Sequence, residues 1–330
     1  MQNNVRAILE GAFVSAIFLV LFFIAFYTPL SIVAVFALPL PLTVYGYRHE
    51  AKAGGLAAFV TVFLSFIFAG FPGLLLSFPA AVMGLVMGVA YRKKKSAGQV
   101  LMIGTLVELT FMFVSIGLAL AVMKINPLDD MIKAMREISE QVLTDMQKQI
   151  ENSVSQLPED QRNEAQTKQL AQLKESLGMM KAQVTSLITA IIPGLLISSS
   201  LLSALINHAF FRRISQRMGI QIQSLPALHN LRFPRSILYY YFIVLFLFMI
   251  KGLQDYHFLY MAVLNIMLVL QLLFFVQGLG FIAYWIHQRN ASKGLLFIAV
   301  ILFLIPPFTY ILLLIGVLDV GFNLRNRFFR

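Results

Sequence analysis

Nine apolar stretches punctuate the chain, at residues 7–27, 29–47, 53–70, 72–91, 98–123, 184–207, 236–250, 258–286 and 294–318. Most approach the ~20 residues that an α-helix needs to cross a hydrocarbon layer roughly 30 Å thick. No soluble core accommodates nine such segments, and composition says the same. With 59% hydrophobic and 12% charged residues among 330, too few polar side chains remain to coat a water-exposed surface. The fold class that follows is all-α, a polytopic transmembrane helical bundle of eight or nine segments. The first stretch is read as a retained span rather than a signal peptide, because only Arg6 precedes it and no small-x-small cleavage site follows. The chain has no cysteine, which excludes disulfide staples and thiolate metal or redox chemistry.

The net charge of +11 is a matter of topology. With the N-terminus in the cytoplasm, the inner loops hold Arg6, Arg48, Lys52, Arg92, Lys93, Lys94, Lys95, Arg212, Arg213, Arg217, Arg232, Arg235, Arg289 and Lys293. The short outer loops hold Lys251 alone, a strong positive-inside bias. No nucleic-acid partner is expected, since no recognition module accompanies these charges. The rule fails at the C-terminus, where a ninth crossing would put Arg325, Arg327 and Arg330 outside. Because Pro306-Pro307 interrupts 294–318, that stretch is either a re-entrant hairpin or a kinked full span.

Three regions follow: membrane helices 1–5 in 1–123, an extracytoplasmic helical hairpin in 124–182, and membrane helices 6–9 in 183–330, with a basic cytoplasmic loop at 208–235. The middle region differs in kind. Between 124 and 181 lie ten acidic and eight basic side chains. Leu128, Met131, Met135, Ile138, Val142, Met146, Ile150, Val154 and Leu157 recur at helical spacing. Pro158 ends this helix, Glu159 and Asp160 suit the start of a second, and Leu170, Leu173, Leu177 and Met180 give that one an apolar stripe. Such a hairpin is either an inert insertion or a docking surface for a partner membrane protein or a second copy.

No enzyme signature is present: H-E-x-x-H, the P-loop, G-x-S-x-G and G-x-G-x-x-G are all missing. No catalytic role, metal site or cofactor is expected, the five histidines lying scattered near span ends. Two carboxylates fall inside apolar stretches. Glu10 sits near an interface, whereas Glu108 lies near the bilayer midplane, where a carboxyl must pair, be protonated or face a polar cavity. Proline breaks at Pro39, Pro41, Pro79 and Pro193-Gly194 free backbone carbonyls. Together Glu108, Pro193, Gly194, Ser198, Ser199 and Ser200, with Asn265 and Gln271 as weaker members, define a candidate polar pocket for a small solute. Gly11, Ala12, Ser15 and Ala16, and Gly84 and Gly88, form small-residue faces for helix packing within the chain or against a partner.

Four strings look like the YybS-like family of bacterial multi-pass membrane proteins, described by a domain of unknown function. They are Leu38-Pro-Leu-Pro41 followed by Tyr47-Arg48, Gly84-x-x-x-Gly88 leading into Tyr91-Arg-Lys-Lys, His229-Asn-Leu-Arg-Phe-Pro234, and Leu318-Asp-Val-Gly-Phe-Asn-Leu-Arg325. The resemblance implies a multi-pass location in the bacterial plasma membrane and carries no activity with it. Ala12-x-x-x-Ala16 is in addition distantly similar to the partner-contacting helix of S-components of energy-coupling-factor transporters, although here a hairpin and two or three further spans are added. The functional expectation is a non-enzymatic, transporter-like core that binds a small solute. Its alternative is a membrane scaffold or sensor whose hairpin recruits a partner.

Overall fold

A computed structural model describes residues 2–155, 164–292, 294–295, 298–299 and 306–328. Every regular element among them is helical: α1 (Gln2–Tyr27), α2 (Ser31–Ala37), α3 (Leu40–Arg48), α4 (Ala51–Arg92), α5 (Ala97–Leu118), α6 (Pro127–Ser155), α7 (Glu164–Arg217), α8 (Ser236–Phe248), α9 (His257–Gln288), α10 (Pro306–Phe322) and α11 (Leu324–Phe328). Five stretches are long and apolar enough to cross a membrane: Val5–Tyr27, Ala51–Arg92, Ala97–Met123, Leu187–Arg217 and His257–Gln288. Ser236–Phe248 and Phe308–Phe322 are shorter apolar helices.

The 42 residues of α4 amount to two spans, because Gly70 breaks the helix with φ +61° and ψ −149°, a conformation open in practice to glycine alone. The two arms double back on each other. Gly54 on the first lies under the Leu85 side chain of the second, and Gly73 lies against the Ser65 carbonyl. Lys52 and Arg92, near opposite ends of the helix, line one cleft. The second apolar stretch is likewise broken, since Pro39 at its centre cannot donate a helical hydrogen bond. α2 and α3 together carry the chain back to the start of α1, where the Tyr45 hydroxyl donates to the Ala7 carbonyl at 2.9 Å. The start of α5 has a reciprocal cap: the Ser96 hydroxyl accepts from the Gln99 amide and the Gln99 side chain accepts from the Ser96 amide.

Packing relies on small residues that let backbones touch. Gly84 and Gly88 on α4 lie directly against the carbonyls of Pro39 and Thr43 on α3, so the G-x-x-x-G face is spent within the chain. The small-residue face of α1 divides. Gly11 is buried beneath Tyr45, and Ser15 is buried with its hydroxyl accepting from Thr61, while Ala12 and Ala16 stay exposed. Phe18, Phe22, Leu38, Leu42 and Ala81 fill the core of this N-terminal body. Tyr241, Val244, Leu270, Phe274 and Val320 fill that of the C-terminal body, where Gly278 and Gly316 bring α9 and α10 into backbone contact.

Between the two bodies α6 lies against α7. Along α6 the stripe read from sequence drifts off the buried face. Leu128, Met131 and Met135 are half-buried, Leu143 is buried, and Ile138, Val142 and Met146 point outward. Spacing of 3.5 to 4 residues does not hold to one side of a 3.6-residue helix over six turns, and the contacts follow the helix. The side chains of Ile150, Val154, Leu170, Leu173, Leu177 and Met180, together with Leu157, Pro158, Glu159 and Asp160, lie outside the described residues.

These packing contacts give a paired prediction. A Cβ at Gly84 would strike the Pro39 carbonyl, so Gly84→Leu costs roughly 3 kcal/mol and lowers the thermal midpoint in detergent by several degrees. The exposed Gly117 has open space around it, so Gly117→Ala raises the midpoint by an amount equivalent to about 0.5–1 kcal/mol. Equal effects at the two sites would contradict the packing.

Candidate functional site

α7 is the hub of the site, since it touches both α5 and α9. On its α5 side, Gly104 faces Ala204 and Met87, so the two helices approach closely. One turn further along α5 is Glu108; on α7 Ser203 adjoins Ala204 and Ser200 lies one turn back. The Ser203 hydroxyl donates to Met83 Sδ at 3.9 Å. Along this seam, four buried atoms have no hydrogen-bond partner among the described residues: Thr105 Oγ1, Glu108 Oε2, Ser115 Oγ and Ser200 Oγ; Ser198 Oγ, also unpartnered, lies about 40° from Gly194, on the α9 side of α7. An unsatisfied buried polar atom costs about 1–3 kcal/mol, so such a cluster calls for water, a proton or a ligand.

The other side of α7 does something different. Pro193 has no N–H, so the helical ladder of α7 loses one hydrogen bond there. Asn265 on α9 bonds to the backbone there: its Oδ1 accepts from the Gly194 N–H at 2.5 Å and its Nδ2 donates to the Ala190 carbonyl at 2.9 Å. One carboxamide thereby engages an amide and a carbonyl on either side of the proline, and a Cβ at Gly194 would collide with it.

The residues expected to form one pocket are therefore not all brought together. Gly194 and Ser200 are six residues apart, about 120° from each other around the helix, so they serve different faces. Glu108 and Ser200 belong to the α5 seam. Gly194 and Asn265 belong to the α9 seam as helix-to-helix bonding. Pro193 is exposed, the Ser199 hydroxyl donates to the Leu196 carbonyl of its own helix, and Gln271 is half-buried further along α9. Thr105 and Ser203 were missed, although each lies one turn from a residue already singled out, Glu108 and Ser200.

A second polar centre, also missed, joins the last two of the four strings. Arg325, fully buried, pairs through Nε with Asp319 Oδ2 at 2.9 Å, and its Nη1 donates to the His229 carbonyl at 2.6 Å. Gln277 on α9 donates to the same Asp319 oxygen at 2.6 Å and accepts from the Phe233 amide at 3.0 Å. The Arg325 guanidinium also lies over the Tyr284 ring. Asn323, at φ +52°, turns the chain between α10 and α11 and accepts from Arg232. The His229 ring stacks on His287 with centroids 4.3 Å apart. Burial first, and then the positive neighbours His287, Arg325 and Arg212, hold the His229 imidazole below the usual histidine range. The end of α9, the loop around His229 and α11 thus meet at one end of the bundle. The first two strings meet as well, through Gly84 and Gly88 on the backbone of α3.

An all-α bundle with broken spans and buried polar seams defines a multi-pass membrane protein. The chain belongs to the DUF2232 family of predicted membrane proteins, whose model matches residues 16–320. It is 31% identical over 328 residues to the uncharacterized protein YybS of Bacillus subtilis (strain 168), covering 99% of each chain. No solved structure matches it, so the likeness to S-components has no structural counterpart.

The buried centre predicts a distinctive pattern. Asp319→Asn leaves the Arg325 guanidinium buried without a counter-charge and costs about 3–5 kcal/mol, whereas the double variant Asp319→Leu with Arg325→Met recovers most of that loss. Unfolding midpoints in detergent measure both, and additive losses in the double variant would contradict the pairing.

Proposed function

We propose that the chain is a non-enzymatic, transporter-like membrane protein whose α5–α7 seam binds a small polar solute. The observation that carries this reading is the group of unpartnered oxygens around Glu108, Thr105 and Ser200 at the level of the hydrocarbon core. Carboxyl and hydroxyl groups that find no partner in the chain accept hydrogen bonds from a solute bearing amine or hydroxyl groups, and the hydroxyls donate in return. Broken helices around the seam, at Gly70 and at Pro193-Gly194, are of the kind tolerated where protein or a hydrated cavity surrounds them.

Orientation follows from charge. Arg6, Arg48, Lys52 and Arg92 share one cleft, and Tyr91 near Arg92 bonds His208 near Arg212, so the basic loops gather at one end of the bundle. In our reading this end is cytoplasmic, the membrane is the bacterial plasma membrane, and residues 124–182 are extracytoplasmic. The contact of α11 with the His229 loop favours a C-terminus on the same side as that loop.

A second reading has its own support. Ile138, Val142 and Met146 form an exposed apolar strip on α6, which suits a scaffold or sensor that recruits a partner. The two are separable. Native mass spectrometry of the purified full-length chain is expected to find a small molecule that is lost in Glu108→Leu and retained in Ile138→Ser with Val142→Ser. A chain that arrives empty, with its cellular phenotype abolished by the α6 variant alone, rejects solute binding. Single cysteines in this cysteine-free chain test the orientation: Gln141→Cys reacts with an impermeant maleimide from outside, and Ser96→Cys and Asn326→Cys do not.

A further inference from the structure

Two adjoining depressions on the α1 side of the bundle have not been accounted for. The first is a cleft of about 670 Å³ at the helix ends, whose charged lining is Arg6, Glu10, Arg48, Glu50, Lys52 and Arg92. The second is an apolar groove of about 390 Å³ between α1 and α4, floored by Gly11, Ser15 and Ala57 and rimmed by the exposed Ile8, Leu56 and Val60. They share Ala7 and Ala53, so the groove opens directly into the cleft.

The charges in the cleft are arranged rather than scattered. Glu10 Oε1 accepts from Arg6 and Arg48 at 3.2 Å each, and Oε2 lies 2.7 Å from His49 Nε2. Arg92 donates to the His49 carbonyl. Glu10 thus serves to hold the cluster, and four cations against two carboxylates leave the cleft with a net charge of +2, His49 counted neutral. Tyr45 stands between the depressions, its ring over Gly11 and its hydroxyl bound to Ala7. From Ala7 to Ser15 the groove descends about 12 Å along α1, from the charged end into the hydrocarbon.

We propose that this pair of depressions holds one anionic phospholipid, its phosphate at Arg48, Lys52 and Arg92 and one acyl chain in the groove. Each half of the lining matches one half of that molecule. Basic pockets between membrane helices attract anionic headgroups, each nearby cation adding severalfold to the affinity. The small side chains at Gly11, Ala12, Ser15 and Ala57 leave a notch one chain wide where larger residues would fill it. Ala12, outward-facing in an otherwise buried set, then lines an acyl slot.

The test titrates delipidated full-length chain in detergent with phosphatidylglycerol, phosphatidylcholine or inorganic phosphate and reads adducts by native mass spectrometry. One phosphatidylglycerol is expected to be retained in preference to phosphatidylcholine. Lys52→Ala, at an exposed position, lowers its affinity about fivefold. Ala12→Phe, which fills the groove from its exposed side, removes the adduct while circular dichroism stays that of the parent. Lys251→Ala changes nothing. Equal retention of both lipids, unaffected by Lys52→Ala, overturns the proposal. So does binding of inorganic phosphate that displaces the lipid and survives Ala12→Phe, which would mean a free-anion site. A dimer dissolved by Ala12→Phe with lipid retention unchanged also overturns it, the groove then belonging to a second copy.

Discussion

Within hydrocarbon no water is available to satisfy a backbone N–H or C=O, and this constraint governs the bundle. Where a proline interrupts a helix, the backbone groups beside it must find partners elsewhere. The clearest instance is Asn265, whose carboxamide bridges the Gly194 amide and the Ala190 carbonyl across the break made by Pro193. That bridge is also a contact between α7 and α9, and so between the N-terminal and C-terminal bodies. Bonding beside the proline and docking of two halves are a single interaction. The close contacts of Gly84 and Gly88 with α3, and of Gly278 and Gly316 between α9 and α10, work alongside it by bringing backbones together without side chains between.

Against that background the α5–α7 seam is an exception. On the α9 face of α7 the Gly194–Asn265 clamp is bonded within the chain, although Ser198 Oγ beside it is not, whereas on the α5 face Glu108, Thr105 and Ser200 each leave an oxygen unpartnered. Polar groups inside a membrane are retained at a cost, and the difference between the two faces of one helix separates structural polarity from polarity available to a ligand. The buried Arg325–Asp319 pair is a second bonded centre, although Arg325 Nη2 has no hydrogen-bond partner among the described residues. Asp319 also accepts from Gln277 and Arg325 also donates to His229, and together they fix the last helices to the loop before α8.

Much of this was legible in the residues. Apolar length gave the all-helical membrane class, and Gly/Pro punctuation marked the break at Gly70 within α4. Glu108 was visible as a carboxyl in an apolar run. Periodicity along one helix cannot tell which neighbour a face meets, so residues from both sides of α7 were grouped into one pocket. The buried role of Arg325 was hidden because, besides Asp319 six positions away, it bonds a backbone carbonyl in a loop nearly a hundred positions earlier. The four strings that carried the family likeness turn out to be packing elements, pairing first with second and third with fourth. They mark how the chain is held together and say little about what it binds.

Chemical access to the α5–α7 seam tests the account most directly. In this cysteine-free chain, Ser200→Cys is expected to react with a small water-soluble methanethiosulfonate although Ser200 is fully buried, because the unpartnered oxygens draw water and polar solutes to it. Ala81→Cys, equally buried but set in the apolar core, is expected to stay inert. If both cysteines are inert, the seam is closed packing and the solute-binding account fails.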